Sequence, residues 1–309
     1  MDKVAFVFPG QASQYPGMGR DLYEKHPEAR MVFEEADAAL GFAISKLCFE
    51  GSQSDLELTA NTQPAILVVS IAAYRVLQAL GMRPDYVAGH SLGEYSALVA
   101  AGALELATAV QLVRKRGQYM QEAVPVGMGA MAAIIGANAE LVQEICAQVA
   151  EGEVCMPANI NTPSQLVVAG HRSAVERAIN EIKSRRAGRA KMLAVSAPFH
   201  CVLMKPAEEA LACDLAEVEF RDLEIPLVSN VDAGLICAAA EARASLIRQV
   251  CSPVRWSDSI RILIENGVRR FVEVGPKNVL IGLIKNMATD LTLLNVEDSD
   301  SAQRAVSFP

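Results

Sequence analysis

The chain reads Gly89-His90-Ser91-Leu92-Gly93 between a short apolar segment, residues 86–88, and a helical pattern over residues 94–101. These five residues match G-x-S-x-G in the strand, turn and helix context of a nucleophile elbow. The glycines allow a sharp turn, and the start of the helix directs free N–H groups toward negative charge that develops near Ser91. A tight turn with an incidental serine is the alternative, but motif and context together favour a nucleophile.

The alternation of strands and helices continues on both sides of this turn. An apolar run at residues 4–8 ends at Pro9-Gly10, and a strongly apolar helix is expected to open at Thr62, with Pro64 in its first turn. The alternation returns after residue 201 and includes strands at 270–274 and 292–296. This pattern predicts an α/β fold with a mostly parallel sheet.

The middle of the chain has a different order of elements. Strand patterns occupy residues 130–135, 154–158, 165–169 and 191–195, helical patterns occupy 139–150 and 173–185, and a turn is expected at 161–164. Strand, helix, strand, strand, helix, strand is the order of a ferredoxin-like module. We therefore expect a small ferredoxin-like α+β domain, residues 127–196, inserted into a large α/β domain formed by residues 1–126 and 197–309.

The composition excludes several classes of protein. The chain has 28 Lys and Arg against 36 Asp and Glu, a net charge of −8, which argues against nucleic acid as a partner. Apolar stretches such as residues 65–74 fall short of the roughly 18 residues of a membrane span, and no secretory signal is expected. Seven cysteines without a C-x-x-C pair predict reduced thiols in a cytoplasmic protein and no metal site.

A serine nucleophile needs a base, and the chain has four histidines. His90 adjoins Ser91 on the tight turn, where it can line a pocket but is poorly placed to accept the serine proton. His26 is expected on the surface, and His171 in a turn of the small domain. His200 lies in the loop that returns to the large domain, which makes it the best candidate.

The position of His200 departs from the usual hydrolase layout. An α/β-hydrolase places its histidine near the C-terminus, after an acidic residue. Here His200 follows Ser91 by 109 residues and no later histidine exists. We therefore expect a Ser–His dyad whose histidine is oriented by an amide or a carbonyl group.

Arg116 lies close to the apolar face of its predicted helix, in step with Ala109, Val113 and Met120 at about 100° per residue. A guanidinium that points inward needs an anionic partner, because an unpaired buried charge is costly. The partner is either a structural carboxylate or the carboxylate of a substrate, and these residues alone leave both open.

The loop that ends the first strand supplies another candidate. If that strand is central, the loop at residues 8–14 lies at the carboxyl edge of the sheet beside the elbow, where ligands bind in open α/β folds. The backbone N–H groups of Gln11 and Leu92 would then be natural donors to an oxyanion.

These elements, in this order, resemble the malonyl-CoA:acyl-carrier-protein transacylase family over nearly the whole chain. The matching motifs are FPGQ-x-S-Q at 8–14, TQPA at 62–65, GHSLGEYSAL at 89–98, RG-x-x-M at 116–120, GAMAAIIG at 129–136, N-x-N-[ST]-P at 159–163, PFH at 198–200 and EVGP at 273–276. GHSLGEYSAL combined with PFH is highly specific. The sequence departs from the family at Ala12, where a glycine is usual, and at Lys277-Asn278, where Gly-Lys is usual.

The resemblance implies an α/β-hydrolase-like large domain and a ping-pong transferase without a cofactor. Malonyl-CoA would load the serine, and the phosphopantetheine thiol of acyl carrier protein would collect the malonyl group for fatty acid synthesis. The resemblance implies that Ser91 is the nucleophile and His200 the general base. It implies that the N–H groups of Gln11 and Leu92 bind the oxyanion and that Arg116 pairs with the malonyl carboxylate. His90 and Asn161 would line the pocket, and Gln249 would orient His200.

Because carrier proteins are acidic, an enzyme of net charge −8 needs a local basic patch to dock one. We expect a monomer whose patch is formed by six basic residues: Arg185, Arg186, Arg189, Lys191, Lys277 and Lys285.

Two other functions fit parts of the sequence. A serine esterase or thioesterase would use the same nucleophile and base, but a hydrolase of neutral esters has no use for an inward Arg116. A scaffold with an inactive site is disfavoured because the nucleophile, the base, the oxyanion loop and the arginine are all present.

Overall fold

The computed structural model describes residues 2–195 and 197–308, and within them the strands form two sheets. In chain order the strands are β1 (Lys3–Phe8), β2 (Tyr86–Gly89), β3 (Gly129–Ile135), β4 (Cys155–Thr162), β5 (Gln165–His171), β6 (Arg189–Met192), β7 (Leu227–Val228), β8 (Leu235–Ile236), β9 (Val268–Val274) and β10 (Thr292–Val296). One sheet has the order β10-β9-β1-β2-β7-β8 and is parallel except for its β7–β8 hairpin. The predicted α/β class is confirmed, and the sheet is mixed.

Helices connect and cover the strands because their apolar faces need the sheets to be buried. In chain order they are α1 (Arg20–Lys25), α2 (Pro27–Leu40), α3 (Ile44–Glu50), α4 (Gln53–Glu57), α5 (Thr59–Ala79), α6 (Gly93–Ala100), α7 (Leu106–Glu122), α8 (Ala139–Val149), α9 (Arg172–Ser184), α10 (Lys205–Ala216), α11 (Ala239–Gln249), α12 (Trp256–Glu265), α13 (Val279–Ile284) and α14 (Ser299–Ser307). No helix in the described part of the chain combines the length and apolar character needed to cross a membrane.

The start predicted for helix α5 was wrong. The helix begins at Thr59, so Pro64 is its sixth residue and lies inside it. The Thr62 hydroxyl donates to the carbonyl oxygens of Leu56 and Leu58, which anchors the first turn before the proline. Hydrogen bonds from a side chain to the backbone cannot be inferred from hydrophobic periodicity, which marks only where the apolar run starts.

The second sheet has the order β4-β5-β3-β6 and is antiparallel throughout. Helices α8 and α9 pack on it and bury a small apolar core that includes Val142, Val168 and Ile179. The order of its strands and helices along the chain is the predicted one. Where the chain enters this sheet, a Cβ on Gly129 would lie 2.4 Å from the Pro198 ring, so the entering and leaving connections are in contact.

The register of β1 and β2 determines where the site forms. Phe8 pairs with Gly89 in the parallel ladder, so the loops that follow both strands leave the sheet at the same edge. The FPGQ loop and the GHSLG turn are therefore neighbours, as ligand-binding loops of an open α/β sheet are expected to be.

Candidate active site

Ser91 lies on a strained turn between β2 and α6. Its backbone is left-handed, with φ 52°, which is unusual for a residue with a side chain. The turn is possible because Gly93 packs directly on β1: a Cβ there would lie 2.0 Å from the Phe8 carbonyl oxygen. The arrangement is that of a nucleophile elbow, with Ser91 at its tip.

The side chain of Asn230 supports this turn from behind. Its Oδ1 accepts from the Ser91 N–H at 2.7 Å, and its Nδ2 donates to the Gly89 carbonyl oxygen at 2.6 Å. Asn230 is fully buried and follows β7, the strand paired with β2 on the side away from β1. Sequence reasoning missed this residue: residues 226–230 were expected to form a strand with Asn230 at its end, whereas β7 ends at Val228 and Asn230 lies beyond it, at the edge of the sheet where ligands bind.

His200 is in hydrogen-bonding position to act on Ser91. Its Nε2 lies 2.7 Å from Ser91 Oγ, and its Nδ1 lies 2.9 Å from the backbone carbonyl oxygen of Gln249. A carbonyl oxygen only accepts, so Nδ1 carries the proton and Nε2 is free to accept from the serine hydroxyl. Burial and the positive charge of Arg116 lower the pKa of His200 to about 3, which keeps the ring neutral at pH 7.

Arg116 points inward from α7 and is 2% exposed. Its Nη1 donates to Gln63 Oε1 at 2.7 Å, and its Nη2 donates to Gln249 Oε1 at 2.8 Å and to Ser91 Oγ at 3.1 Å. All three acceptors are neutral, and no carboxylate among the described residues lies within ion-pair distance. The Nε–H is buried without a partner. A structural ion pair, one of the two alternatives left open above, is therefore absent from the described structure.

Gln11 and Leu92 line the same cavity as Ser91, and Leu92 directly follows it in the chain. Neither backbone N–H donates a hydrogen bond to another described residue, whereas the N–H of Ser91 is taken by Asn230. The loop before Gln11 is in close contact with the elbow, since a Cβ on Gly10 would lie 2.5 Å from the His90 carbonyl oxygen. Two free donors thus adjoin the serine.

His90 and Asn161 form one side of the cavity. His90 Nε2 lies 2.9 Å from Asn161 Oδ1, and its ring packs against the indole of Trp256 with centroids 5.6 Å apart. Burial lowers the pKa of His90. The turn predicted at 161–164 was wrong in part, because β4 extends through Thr162 and Asn161 therefore lies on a strand.

The cavity has a volume of about 250 Å³ and lies between the two sheets. Seven of the eight predicted site residues line it, and Gln249 lies behind them with its carbonyl on His200 and its side chain on Arg116. Much of its apolar lining comes from the four-stranded sheet, the segment after it, the residue before His200 and α13. These residues are Met131, Val167, Leu193, Val195, Phe199, Val279, Leu280 and Leu283.

The other two histidines do not line this cavity. His26 Nε2 lies 2.9 Å from Ser299 Oγ, and His171 Nδ1 accepts from the Val154 N–H. No three His, Cys, Asp or Glu side chains in the described chain are arranged to hold a metal ion. The chemistry that this site can perform is nucleophilic attack by Ser91 with His200 as base, beside a guanidinium that lacks an anionic partner.

Comparison with known proteins gives a consistent family assignment. Residues 5–304 match the family model described as the acyl transferase domain. The chain is 47% identical to a protein from Bacillus subtilis (strain 168) named malonyl CoA-acyl carrier protein transacylase, over 99% of this chain and 97% of that one.

Solved structures agree with that assignment. The transacylase of the same name from Coxiella burnetii superposes with a TM-score of 0.97 at 44% identity, covering 99% of this chain and 97% of the other. A malonyl-transacylase solved in complex with its type II PKS acyl-carrier protein superposes with a TM-score of 0.96, also at 44% identity, over 98% of this chain and 99% of the other.

Proposed function

The chain belongs to the acyl transferase domain family, and from this premise we propose that it moves the malonyl group of malonyl-CoA to the phosphopantetheine thiol of an acyl carrier protein. The product would supply the extender unit for fatty acid synthesis. The observation that carries the proposal is the guanidinium of Arg116, which is buried without an anionic partner and lies 3.1 Å from Ser91 Oγ. The names of the relatives support the same donor and acceptor.

The first half-reaction loads the serine. His200 Nε2 accepts the hydroxyl proton while Ser91 Oγ attacks the thioester carbonyl carbon, and the carbonyl electrons move onto oxygen. The N–H groups of Gln11 and Leu92 stabilise that oxyanion. When the tetrahedral intermediate collapses, the C–S bond breaks, the thiolate of CoA takes the proton back from His200, and a malonyl ester remains on Ser91.

The second half-reaction repeats these steps with a new nucleophile. The phosphopantetheine thiol of the carrier protein gives its proton to His200, and its sulfur attacks the ester carbonyl carbon. Collapse breaks the bond to Ser91 Oγ, which recovers its proton from His200. The result is a malonyl thioester on the carrier and a free enzyme, which is a ping-pong reaction.

Arg116 gives the site its preference for a carboxylate. In the free enzyme its Nη2 donates to Ser91 Oγ, and once that oxygen is acylated the guanidinium lies beside the malonyl carboxylate. Guanidinium and carboxylate match in shape and charge, so the pair is strong when shielded from water. An acetyl group lacks the carboxylate that would pair with Arg116. His90 and Asn161 complete the wall of the pocket.

We also propose the domain organisation that the sequence predicts: an α/β-hydrolase-like large domain (1–126 and 197–309) and a ferredoxin-like small domain (127–196). The strand order β4-β5-β3-β6, with two helices on one sheet, supports the small domain. The free thiols of all seven cysteines are compatible with a cytoplasmic monomer.

The acidic carrier protein would dock on the proposed basic patch, with one change to its membership. Arg185 forms ion pairs with Glu144 and Glu181, so its charge is already matched. Five residues remain: Arg186, Arg189, Lys191, Lys277 and Lys285. Lys277 and Lys285 flank α13, which lines the cavity, so a carrier bound there would have its thiol arm close to Ser91.

Intact-mass spectrometry tests the proposed function directly. The protein is exposed briefly to malonyl-CoA or acetyl-CoA beside a Ser91→Ala variant. We expect one malonyl adduct, little acetyl adduct and no adduct on the variant. Equal labelling by both donors would indicate a general acyltransferase. CoA release without an adduct would indicate a hydrolase, and neither adduct nor release would indicate an inactive scaffold.

A further inference from the structure

A second buried charge lies close to the site and has no part in the reaction steps above. Glu94 is the second residue of α6, three residues after Ser91, and its side chain is fully buried. In the described structure no Lys or Arg forms an ion pair with it. We propose, on the basis of the proposed function, that the negative charge of Glu94 weakens the binding of the malonyl carboxylate to Arg116. The enzyme can then release the malonyl group as well as bind it.

Glu94 interacts with Arg116 indirectly, through the side chain of Gln249. Its Oε2 accepts from Gln249 Nε2 at 2.8 Å, and the Oε1 of that same amide accepts from Arg116 Nη2 at 2.8 Å. The orientation of the amide is fixed independently, because Gln249 Nε2 also donates to the carbonyl oxygen of Ser91. One glutamine side chain therefore separates a buried carboxylate from a buried guanidinium.

The donors around Glu94 indicate that it is ionised. The Asn230 backbone N–H and the Gln249 amide both donate to Oε2, and neither group can accept in this geometry. The Ser245 hydroxyl lies 2.9 Å from Oε1. Burial raises the pKa of Glu94, whereas the hydrogen bonds from Gln249, Asn230 and Ser245 and the positive charge of Arg116 act in the opposite direction and favour the carboxylate.

Because Gln249 separates Glu94 from Arg116, the effect on substrate binding differs from that of a direct ion pair. If Glu94 touched Arg116, the guanidinium would be neutralised and would gain little from a substrate carboxylate. If the carboxylate were absent, the isolated cation would hold the malonyl group too firmly for a ping-pong enzyme that must give it away. Through Gln249 the negative charge weakens the field of Arg116 and leaves its hydrogen-bonding edge available.

Glu94→Gln separates charge from structure. The new Oε1 can replace Oε2 as acceptor for Asn230 and Gln249, and the new Nε2 can donate to the Ser245 hydroxyl, which accepts as readily as it donates. Every contact is retained and only the charge is lost. Ser245→Ala is the matched control, since it removes one contact and keeps the charge.

We expect Glu94→Gln to lower the KM for malonyl-CoA and to slow transfer from the isolated malonyl-enzyme to free pantetheine, each by about tenfold, the order expected for one buried unit charge at short range. Acetyl-CoA loading should change much less, because acetyl has no carboxylate. Ser245→Ala should keep the ratio of the malonyl to acetyl KM values.

Parallel changes with both donors, or no change in either step, would overturn the proposal. If Glu94→Gln does not fold, Glu94→Asp gives a second test: it keeps the charge and should keep the ratio of KM values, and a shifted ratio would refute the tuning role. Failure of the wild-type protein to load malonyl would instead refute the proposed function, so the two failures are distinguishable.

Discussion

His200 Nδ1 lies 2.9 Å from the backbone carbonyl oxygen of Gln249, and no carboxylate occupies that position in the described chain. His200, the proposed base, is thus oriented by a backbone group that a side-chain substitution cannot remove. The side chain of the same residue contacts Arg116, so one residue supports the base with its backbone and the guanidinium with its amide.

Gln249→Ala should therefore separate the two functions. The carbonyl remains to hold His200, so loading from acetyl-CoA should fall by no more than a few-fold. Loading from malonyl-CoA should fall at least tenfold, because the charged guanidinium of Arg116 loses its hydrogen bond to the Gln249 amide oxygen. Initial rates with the two donors measure this, and equal losses with both would contradict it.

Arg116→Ala should abolish the preference for malonyl-CoA and raise the relative activity on uncharged acyl groups. The reason is the loss of the only cation beside Ser91 Oγ in the described structure. Competition between malonyl-CoA and acetyl-CoA, read by intact mass, gives the preference directly. Lys115→Ala is the control: it removes a positive charge from the half-exposed face of the same helix, where Lys115 pairs with Asp214. An unchanged preference for malonyl-CoA in Arg116→Ala would contradict the proposal that Arg116 binds the malonyl carboxylate.

The low pKa of His200 predicts a pH-dependent contribution to stability. The folded protein keeps this ring neutral down to about pH 3, whereas in the unfolded chain it protonates near 6.5. The unfolded state therefore binds more protons between these values, and stability falls as pH is lowered through that window. His200→Asn, which tolerates the left-handed backbone at φ 60°, lacks this effect.

Urea unfolding at pH 7 and pH 5 tests that prediction. We expect the wild-type protein to lose more free energy of unfolding between the two pH values than His200→Asn loses. Other titrating groups, such as buried His90 and Glu273, are common to both proteins and cancel in the comparison. Equal losses would mean that His200 is not held neutral.

Asn230→Ala should impair catalysis although Asn230 itself does not line the cavity. It leaves the Ser91 N–H and the Gly89 carbonyl without partners in a strained turn, which destabilises by about 1–3 kcal/mol. We expect kcat to fall at least tenfold as the serine loses its fixed position. Asn138→Ala is the matched control, because this helix cap on α8 costs about 1 kcal/mol and is remote from the cavity. If Asn138→Ala lost as much activity as Asn230→Ala, the loss in Asn230→Ala would be explained by reduced stability alone.

The double variant Arg189→Glu, Lys285→Glu should raise the KM for acyl carrier protein and leave malonyl loading from malonyl-CoA unchanged. Neither residue forms an ion pair in the described structure, so their charges are available to an acidic partner. Steady-state kinetics with carrier protein, beside single-turnover loading, separates the two half-reactions. The double variant Lys46→Glu, Arg83→Glu controls for net charge, because both residues are exposed, neither lines the cavity and the change in charge is the same. Equal losses in both half-reactions would contradict the patch.

Local patterns were sufficient to find three residues that the structure brings together in one cavity. Ser91 follows from its motif, His200 from elimination among four histidines, and Arg116 from helical periodicity. Asn230 and Glu94 were missed because Ser91, which Asn230 contacts, lies 139 residues from it, and Asn230, which Glu94 contacts, lies 136 residues from Glu94. These residues are brought close by the pairing of β7 with β2. Asn161 was assigned to a turn because register shifts in β4 interrupt the alternation that marks a strand.

The close contact between the two loops has a kinetic consequence. Gly10 abuts the His90 carbonyl, Gly93 abuts the Phe8 carbonyl, and the His90 N–H donates to Phe8 at 3.0 Å. These contacts join the two loops, so the proposed oxyanion donors, Gln11 and Leu92, are held in position relative to Ser91 before any substrate arrives. The two loops therefore reach this arrangement when the chain folds, and the donors need not be repositioned during each turnover.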